Sequence, residues 1–506
     1  MRKDWAGFGV DLHLEVATGG GRRRGLEEAL RQAVRDGRLP RGTRLPSTRS
    51  LAAELGLSRG TVSAAYDQLV AEGYLATRPG SATEVAGVSP ATPSRPGPPP
   101  EPSPGPGHDL RLPSAHSAAP LHDLRLPSDP SAAPLHDLRL PSDPSAAPLH
   151  DLRPGQPDVS AFPARAWLRA TRHVLSTAPA EVLGPCDPRG RIELRAALAG
   201  YLARTRGVLT TPDLIVVTTG FVQALNLIAQ VIDGPIATEE PGHDFYREVL
   251  RRAGRETVPL PVDGLGAQVD TLTGATAAAV VTPAHQYPTG VPLHPARRRA
   301  LREWGGLVVE DDYDGEFRYD RQPVGAFQGT APDRVVYVGT TSESLAPALR
   351  LGWMAVPPSL IGPVAEAKLH ADAHTEVLGQ LVLARLIETH DYDRHIRAAR
   401  LRYRRRRELL LARLGPGPGQ PLPGVALPGV AAGLRALLLL PEAGPTEAEL
   451  LAECERRGIA LRAASPLWRG DGPGGLLIGY AAPSERAYPH ALEALAKTLA
   501  GTLAGT

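Results

Sequence analysis

The chain has 506 residues, of which 42% are hydrophobic and 22% are charged, and its formal net charge is +2. This length is sufficient for two or more domains with separate cores, and the composition is ordinary for a globular protein. Cys186 and Cys454 are the only cysteines. Their wide separation argues against a disulfide framework, and no metal-ligand spacing is present. No apolar run approaches the length of a membrane span or a secretion signal, so we expect a cytoplasmic protein.

Apolar spacing within residues 1–86 predicts three short helices. The first helix carries an apolar stripe at Leu26, Leu30, Ala33 and Val34. Ser47 is the predicted N-cap of the second helix and Gly56 its C-terminal stop, while Ser58 is the predicted N-cap of the third. The following segment, YLATRPGSATEV, predicts a two-stranded wing with its turn at Pro79-Gly80. Together these elements predict a winged helix-turn-helix.

Positive charge is concentrated in this module. From Arg22 to Arg59 the sequence contains ten arginines and four acidic residues. The third helix begins with polar residues, where a recognition helix contacts base edges and phosphates in the major groove. The segment RGTRLPSTRSLAAELGLSRGTVSAAYDQLVAEGYL also resembles the GntR-type winged helix, including its LPSxRxLA and SRxTV blocks. The resemblance implies binding to double-stranded operator DNA through Arg44, Arg49, Ser58, Arg59 and Thr61, with Gly80 at the wing.

Residues 87–150 form a predicted linker, rich in Pro, Ser and Ala. A 14-residue unit, HDLRLPSxxSAAPL, begins at His108, His122 and His136, and a fourth start at His150 diverges after Arg153. Each unit has too few apolar residues to bury a face against its neighbours, as a solenoid requires. We therefore interpret the repeats as a partly extended spacer.

Residues 151–506 alternate short apolar runs with longer amphipathic stretches. The runs are LIVVTTG (214–220), AAAVVTP (277–283), GGLVVEDD (305–312) and RVVYVGT (334–340), and predicted helices between them include 221–231 and 297–304. This alternation predicts an α/β domain with a mostly parallel sheet.

Several blocks of this domain resemble, in order, the aminotransferase-like half of the MocR-type regulators. The blocks are DPRGRIELRAALAGYLARTRGV, VTTGFVQAL, EEPGHDFYREVL, TPAHQYPTGVPL, EDDYDGEFRYD and YVGTTSESLAPALRLGW. MocR-type proteins are a GntR subgroup that joins a winged helix to an aminotransferase-like domain of class I and II, with fold type I. The resemblance therefore implies a homodimer with this fold and pyridoxal phosphate as the family's cofactor.

The resemblance also assigns a cofactor site. In fold type I a Lys forms a Schiff base, an Asp faces the pyridine nitrogen, and a helix N-terminus with hydroxyls and an Arg holds the phosphate. Carried over to this sequence, Asp311 faces the nitrogen, Tyr313 faces the ring hydroxyl and His243 stacks on the pyridine. The phosphate would be surrounded by Gly220, Phe221, Val222, Thr340, Ser342 and Arg350.

The sequence departs from the family at decisive positions. The Schiff-base lysine falls at Glu343, and a carboxylate cannot form an imine. The other lysines are Lys3, Lys368 and Lys497, and none is near Glu343 in sequence. The tyrosine expected before DPRG is Pro185, and the arginine that pairs with a substrate carboxylate aligns with Leu477. Covalent cofactor attachment is therefore not expected, whereas non-covalent binding is compatible with the retained phosphate site.

Three interpretations follow. The leading one is a dimeric DNA-binding regulator whose aminotransferase-like domain senses a small molecule, with pyridoxal phosphate bound without an imine as one candidate. The second is an active aminotransferase with an accessory DNA-binding domain, which Glu343 disfavours. The third is a regulator whose C-terminal domain is purely structural and holds two winged helices at a fixed spacing.

Deletion of residues 122–149 removes two repeat units, and we expect both folded domains to keep their melting temperatures because a spacer contributes no core. Affinity for widely spaced half-sites should fall, since the spacer sets the reach between domains. Differential scanning calorimetry and operator titrations of the deletion variant measure these two quantities. A large loss of stability in either domain would show that the repeats pack.

Overall fold

The computed structural model describes residues 22–35, 38–39, 42–71, 74–76, 83–85, 148–319, 324–415, 422, 424–470 and 472–504. The predicted repeats at 108–149 lie outside these ranges except for their last two residues, and so do Gly80 and the predicted wing turn. Within the described ranges, no helix is both long enough and apolar enough to cross a membrane.

The N-terminal module is the predicted winged helix-turn-helix. Its elements are α1 (Arg22–Arg35), α2 (Thr48–Leu55), α3 (Arg59–Ala71), β1 (Leu75–Ala76) and β2 (Glu84–Val85). The Ser47 hydroxyl accepts a hydrogen bond from Ser50 N, and Gly56 ends α2 with φ 64°, so both predicted caps are confirmed. The two strands pair in antiparallel orientation. Leu26, Leu30 and Val62 are among the buried residues that form the core of this module.

The C-terminal module begins at β3 and contains most of the chain. Its first elements are β3 (His150–Asp151), α4 (Ala164–Thr177), α5 (Ile192–Arg206), β4 (Ile215–Thr218), α6 (Phe221–Val231), β5 (Ile236–Glu240), α7 (Asp244–Arg252), β6 (Thr257–Asp263), β7 (Gly266–Ala267), β8 (Ala278–Val281), α8 (Pro295–Trp304), β9 (Leu307–Asp311), β10 (Val335–Thr340) and β11 (Gly352–Ala355). The remaining elements are α9 (Ile361–Asp372), α10 (Val377–Glu388), α11 (Asp391–Leu414), β12 (Ala436–Leu439), α12 (Glu447–Arg456), β13 (Ile459–Ala460), β14 (Arg462–Ala463), β15 (Gly475–Ile478) and α13 (Tyr488–Ala504).

An eight-stranded sheet organises this module, with strand order β4-β11-β10-β9-β8-β5-β6-β7. The five central strands from β10 to β6 are parallel, as the sequence predicts, and β11 and β7 pair in antiparallel orientation. The strands β4, β8, β9 and β10 coincide with the four predicted apolar runs. A separate three-stranded sheet, β12-β15-β14, lies near the C-terminus, and β3 pairs with β13.

Both faces of the large sheet are covered, which explains why its strands are almost continuously apolar. On one side, Leu198, Tyr201 and Leu383 of α5 and α10 belong to the same buried cluster as Ile215 and Trp353 of the sheet. On the other side of the sheet, Leu225 and Ile228 of α6 form a second buried cluster with Val309 and other strand residues. The strands are thereby fixed, and their carboxyl ends can hold functional side chains in defined positions.

Glu239 is a buried carboxyl at the end of β5. It accepts hydrogen bonds from Thr282 Oγ1 at 2.5 Å and from Gln286 Nε2 at 3.2 Å. Burial nevertheless raises the pKa of Glu239 to about 7. The folded protein therefore binds a proton at Glu239 in a pH range where the unfolded chain has already released it.

We expect the C-terminal module to lose stability as the pH rises from 5 to 7, because only its folded state must release this proton over that interval. In Glu239→Gln the decrease in the free energy of unfolding between pH 5 and 7 should be smaller by about 2–3 kcal/mol, since each pKa unit corresponds to about 1.4 kcal/mol. Urea unfolding followed by tryptophan fluorescence measures the effect, with exposed Glu256→Gln as the control. An unchanged pH dependence in the Glu239 variant would contradict the assignment.

Candidate functional site

The N-terminal module presents a polar face around the start of α3. Ser58 caps the helix by accepting a hydrogen bond from Thr61 N at 3.0 Å, and its hydroxyl lies 2.8 Å from the Thr61 hydroxyl. Arg59 on α3 and Arg49 on α2 are exposed. Arg44 is also exposed and forms a β-bridge with Glu84 of β2. The start of α3, helix α2 and the segment at Arg44 thus present cationic and hydroxyl groups on one module.

A second candidate site lies at the carboxyl edge of the large sheet. Strands β4, β9 and β10 run in the same direction and end at Thr218, Asp311 and Thr340. Loops after such strand ends are where open α/β sheets bind their ligands. The residues that the resemblance assigns to the cofactor lie at or after the ends of these strands and of β5, which β8 separates from β9 in the sheet.

The phosphate end of this site is open to solvent. Gly220, with φ 125°, precedes α6, and a Cβ there would lie 3.4 Å from Arg350 Nη2. The exposed Arg350 therefore lies at the N-terminus of α6, where the helix dipole and free amides favour an anion. Its φ of 50° is unusual for a residue with a side chain. Thr340 Oγ1 lies 2.9 Å from Ser342 Oγ beside it.

Three consecutive acids end strand β9, and all three are buried. Glu310 accepts hydrogen bonds from Phe327 N and Gln328 N at 2.7 and 2.8 Å. Asp312 forms a bidentate pair with Arg206 at 2.7 and 2.8 Å. Burial and the negative charges of Asp312 and Asp314 raise the pKa of Asp311 well above its usual range. These interactions oppose ionisation of the Asp311 carboxyl in this conformation.

The hydroxyl of Tyr313 is held inside the protein. It donates to the carbonyl of His285 at 3.0 Å, and it lies 3.2 Å from His285 Nδ1. The same ring nitrogen is 2.8 Å from Asp314 Oδ2. These contacts fix the orientation of the Tyr313 ring at the end of β9.

Glu343 lies in the turn after β10 and is buried. Its Oε1 is 4.0 Å from Arg435 Nη1, while its Oε2 has no hydrogen-bond partner among the described residues. Burial raises the pKa of Glu343, although the Arg435 charge opposes this shift. The Arg435 guanidinium also lies 4.5 and 4.4 Å from the ring centroids of Tyr287 and Tyr313. Arg435 therefore places a positive charge beside Glu343 and over both tyrosine rings.

Four aromatic rings form a continuous stack in the site. His243 lies 4.2 Å from Tyr246 and 4.6 Å from Tyr287, with interplanar angles of 20° and 15°. Tyr246 stacks in turn on Phe221 at 4.4 Å. Both faces of the His243 ring are thus covered by tyrosines.

Helix α7, which carries Tyr246, is attached to the C-terminal part of the chain. Asp244 Oδ1 accepts a hydrogen bond from Arg462 Nη2 at 2.8 Å. Arg247 donates to the carbonyls of Leu467 and Pro466 at 3.3 and 3.2 Å. The first turn of α7 therefore bridges the aromatic stack and the region around β14.

The residues fit pyridoxal phosphate only in part. Gly220 beside Arg350, and Thr340 beside Ser342, are compatible with the phosphate cradle that the resemblance assigns, and Asp311 and Tyr313 stand at the expected strand end. The ring position does not fit, because His243 has no open face. Lys368, the only lysine of α9, is buried and paired with Asp372. In this conformation the site therefore does not hold the cofactor ring, and we derive no chemistry through it.

Sequence reasoning missed three residues of the site, namely Tyr246, Tyr287 and Arg435. Tyr246 follows His243 by three residues, a helical spacing that places both rings on one side of α7. Tyr287 stands inside a block that the family resemblance already marks. Arg435 has no motif around it. Leu477, which the resemblance aligns with the expected arginine, is buried in the same cluster as Tyr287 and Tyr313. The Arg435 guanidinium lies over both tyrosine rings from the residue before β12.

Comparisons with known proteins agree with both modules. Residues 22–85 match the family of bacterial regulatory proteins of the gntR family, and residues 149–495 match aminotransferase class I and II. The chain is 31% identical to the pyridoxine biosynthesis transcriptional regulator PdxR of Corynebacterium glutamicum, over 91% of this chain and 92% of that protein. It is 33% identical to the probable rhizopine catabolism regulatory protein MocR of Rhizobium meliloti, over 77% and 76% of the two chains.

A solved structure shows the same fold for the C-terminal module. The kynurenine aminotransferase of Pyrococcus horikoshii superposes with a TM-score of 0.63 at 25% identity, covering 70% of this chain and 91% of that enzyme. That enzyme was crystallised with PMP, the amine form of the cofactor.

Proposed function

The chain belongs to the MocR-type subfamily of the GntR family of bacterial transcription regulators, and on this premise we propose that it binds operator DNA as a homodimer and senses a small molecule without covalent attachment. The observation that supports the proposal is the presence in one chain of an exposed recognition-helix face and of a buried carboxyl, Glu343, at the position that the resemblance gives to the lysine.

The DNA contacts belong to the face around the start of α3. Ser58, Arg59 and Thr61 enter the major groove, while Arg49 and Arg44 contact the backbone or base edges beside it. Their exposure and the cap geometry of α3 support this assignment. Gly80, the wing residue of the same assignment, lies outside the described residues.

Arg49→Ala and Arg59→Ala should each weaken operator binding by about 1–3 kcal/mol if the arginine reads a base. Fluorescence anisotropy with an operator selected from a random duplex library, at physiological salt, measures this loss. Arg299→Ala, an exposed arginine on α8, is the matched control and should bind as the wild type does. Wild-type affinity in both test variants would remove these residues from the interface.

An exposed apolar face on α4 supports a homodimer. Leu168 and Leu175 are 49% and 59% exposed and lie seven residues apart, whereas Ala170 and Val174 are buried on the opposite side. Leu183 and Ile192, which follow in the chain, are 69% and 48% exposed. A second copy of the chain covers this face, because apolar groups of this size are stabilised by removal from water.

The double variant Leu168→Asp/Leu175→Asp should be a monomer, because two carboxylates cannot be buried in an apolar interface without partners. Sedimentation equilibrium gives the mass directly. Leu265→Asp, at a turn residue of similar exposure, is the control and should remain dimeric. A dimeric double variant, or a monomeric wild type, would refute the assignment of this face.

The C-terminal module acts as a sensor and not as an aminotransferase. Transamination needs a nucleophilic amine, and Glu343 supplies a carboxylate at that position. The exposed Arg350 and the half-buried Ser342 select an effector with an anionic group. Any pyridoxal phosphate bound here is therefore held without an imine.

A further inference from the structure

The side chain of Tyr246 makes the contacts that a pyridine ring would make in this site. Its ring lies 4.2 Å from His243 at an angle of 20°, in the stacking position that the resemblance gives to the cofactor. Its other face is covered by Phe221 at 4.4 Å. A further ring cannot be inserted between these neighbours.

Tyr246 lies between two residues that the resemblance assigns to the cofactor site. Its ring stacks on His243 and on Phe221. Burial, and after it the negative charge of Asp311, raise the pKa of Tyr246 well above its usual range. Tyr287 also stacks on His243, but its hydroxyl accepts a hydrogen bond from Arg462 at 3.3 Å. Of the two tyrosines, Tyr246 is therefore the one stacked between His243 and Phe221.

We propose that the phenol ring of Tyr246 is a built-in occupant of the pyridine position, so that a pyridoxal-type ligand binds only after this ring has left. The proposal rests on the sensor role of the C-terminal module and assigns a regulatory residue within it. The phosphate cradle at Gly220, Ser342 and Arg350 does not include Tyr246, and its Arg350 is exposed to solvent. The ring therefore excludes the heterocycle of the ligand and not its phosphate.

The test uses the full-length protein and 4-deoxypyridoxine 5′-phosphate, which has no aldehyde and cannot react with a lysine. Equilibrium dialysis gives its affinity for the wild type, Tyr246→Ala, Tyr246→Phe and Phe245→Ala. Tyr246→Ala should bind about tenfold more tightly than the wild type, because the ligand no longer displaces a stacked ring. Tyr246→Phe keeps the ring, so its affinity for the compound should stay close to that of the wild type. Phe245 lies in the same turn but outside the stack, so Phe245→Ala should also match the wild type.

Inorganic phosphate provides a second arm of the experiment. Its affinity should be equal in all four proteins, because Tyr246 does not cover the cradle. The proposal is overturned if Tyr246→Ala binds the pyridine compound no more tightly than the wild type, or if Tyr246→Phe gains as much as the alanine variant. Circular dichroism melting of each variant shows that it is folded. Operator binding of the wild type is measured separately, so failure of the regulator assignment is distinguishable from failure of this one.

Discussion

The bidentate ion pair between Arg206 and Asp312 fixes the end of strand β9, and the candidate site depends on where that strand ends. Both side chains are almost fully buried, at 6% and 2% exposure, and Tyr337 adds a hydrogen bond to the same carboxylate at 2.8 Å. A buried charge is tolerated only when it is paired and hydrogen-bonded in this way. With Glu310 satisfied by two backbone amides, the neighbouring acids are held away from the ligand side. Asp311, the last residue of β9, points to the opposite face of the strand from Glu310, because successive side chains of a strand alternate.

The regular parts of the fold follow from local sequence. Strands such as β9 and helices such as α6 form where the chain predicts them, because an apolar run bounded by turn residues has few other ways to bury itself. The helix caps Ser47 and Gly56 are equally local, since each depends on a hydrogen bond or a positive φ within its own turn. The three-stranded sheet near the C-terminus was not predicted. Its strands β12 and β15 are short and pair across a long sequence separation, so no local pattern marks them.

The sequence predicts where the residues of the candidate site lie along the chain, but it does not predict how their side chains pack. Asp311, Tyr313 and Glu343 occupy strand ends and turns that the order of the family blocks already fixes. The stack around His243 depends on which rotamers pack together in three dimensions, and such packing has no signature in residue spacing. The same holds for Arg435. Its guanidinium lies over the rings of Tyr287 and Tyr313 from the residue before β12, a position that no motif in the sequence marks.

The attachment of α7 gives the site a thermodynamic consequence beyond its own residues. A ligand that requires one conformer of Tyr246 binds with its intrinsic affinity multiplied by the fraction of molecules in which that conformer is populated. The pair Asp244–Arg462 and the bonds from Arg247 to Leu467 and Pro466 hold the turn that carries Tyr246 and so set this fraction. On the proposed sensor role, residues that do not touch the effector tune the effector concentration at which the regulator responds, so that sensitivity changes while the binding surface stays constant.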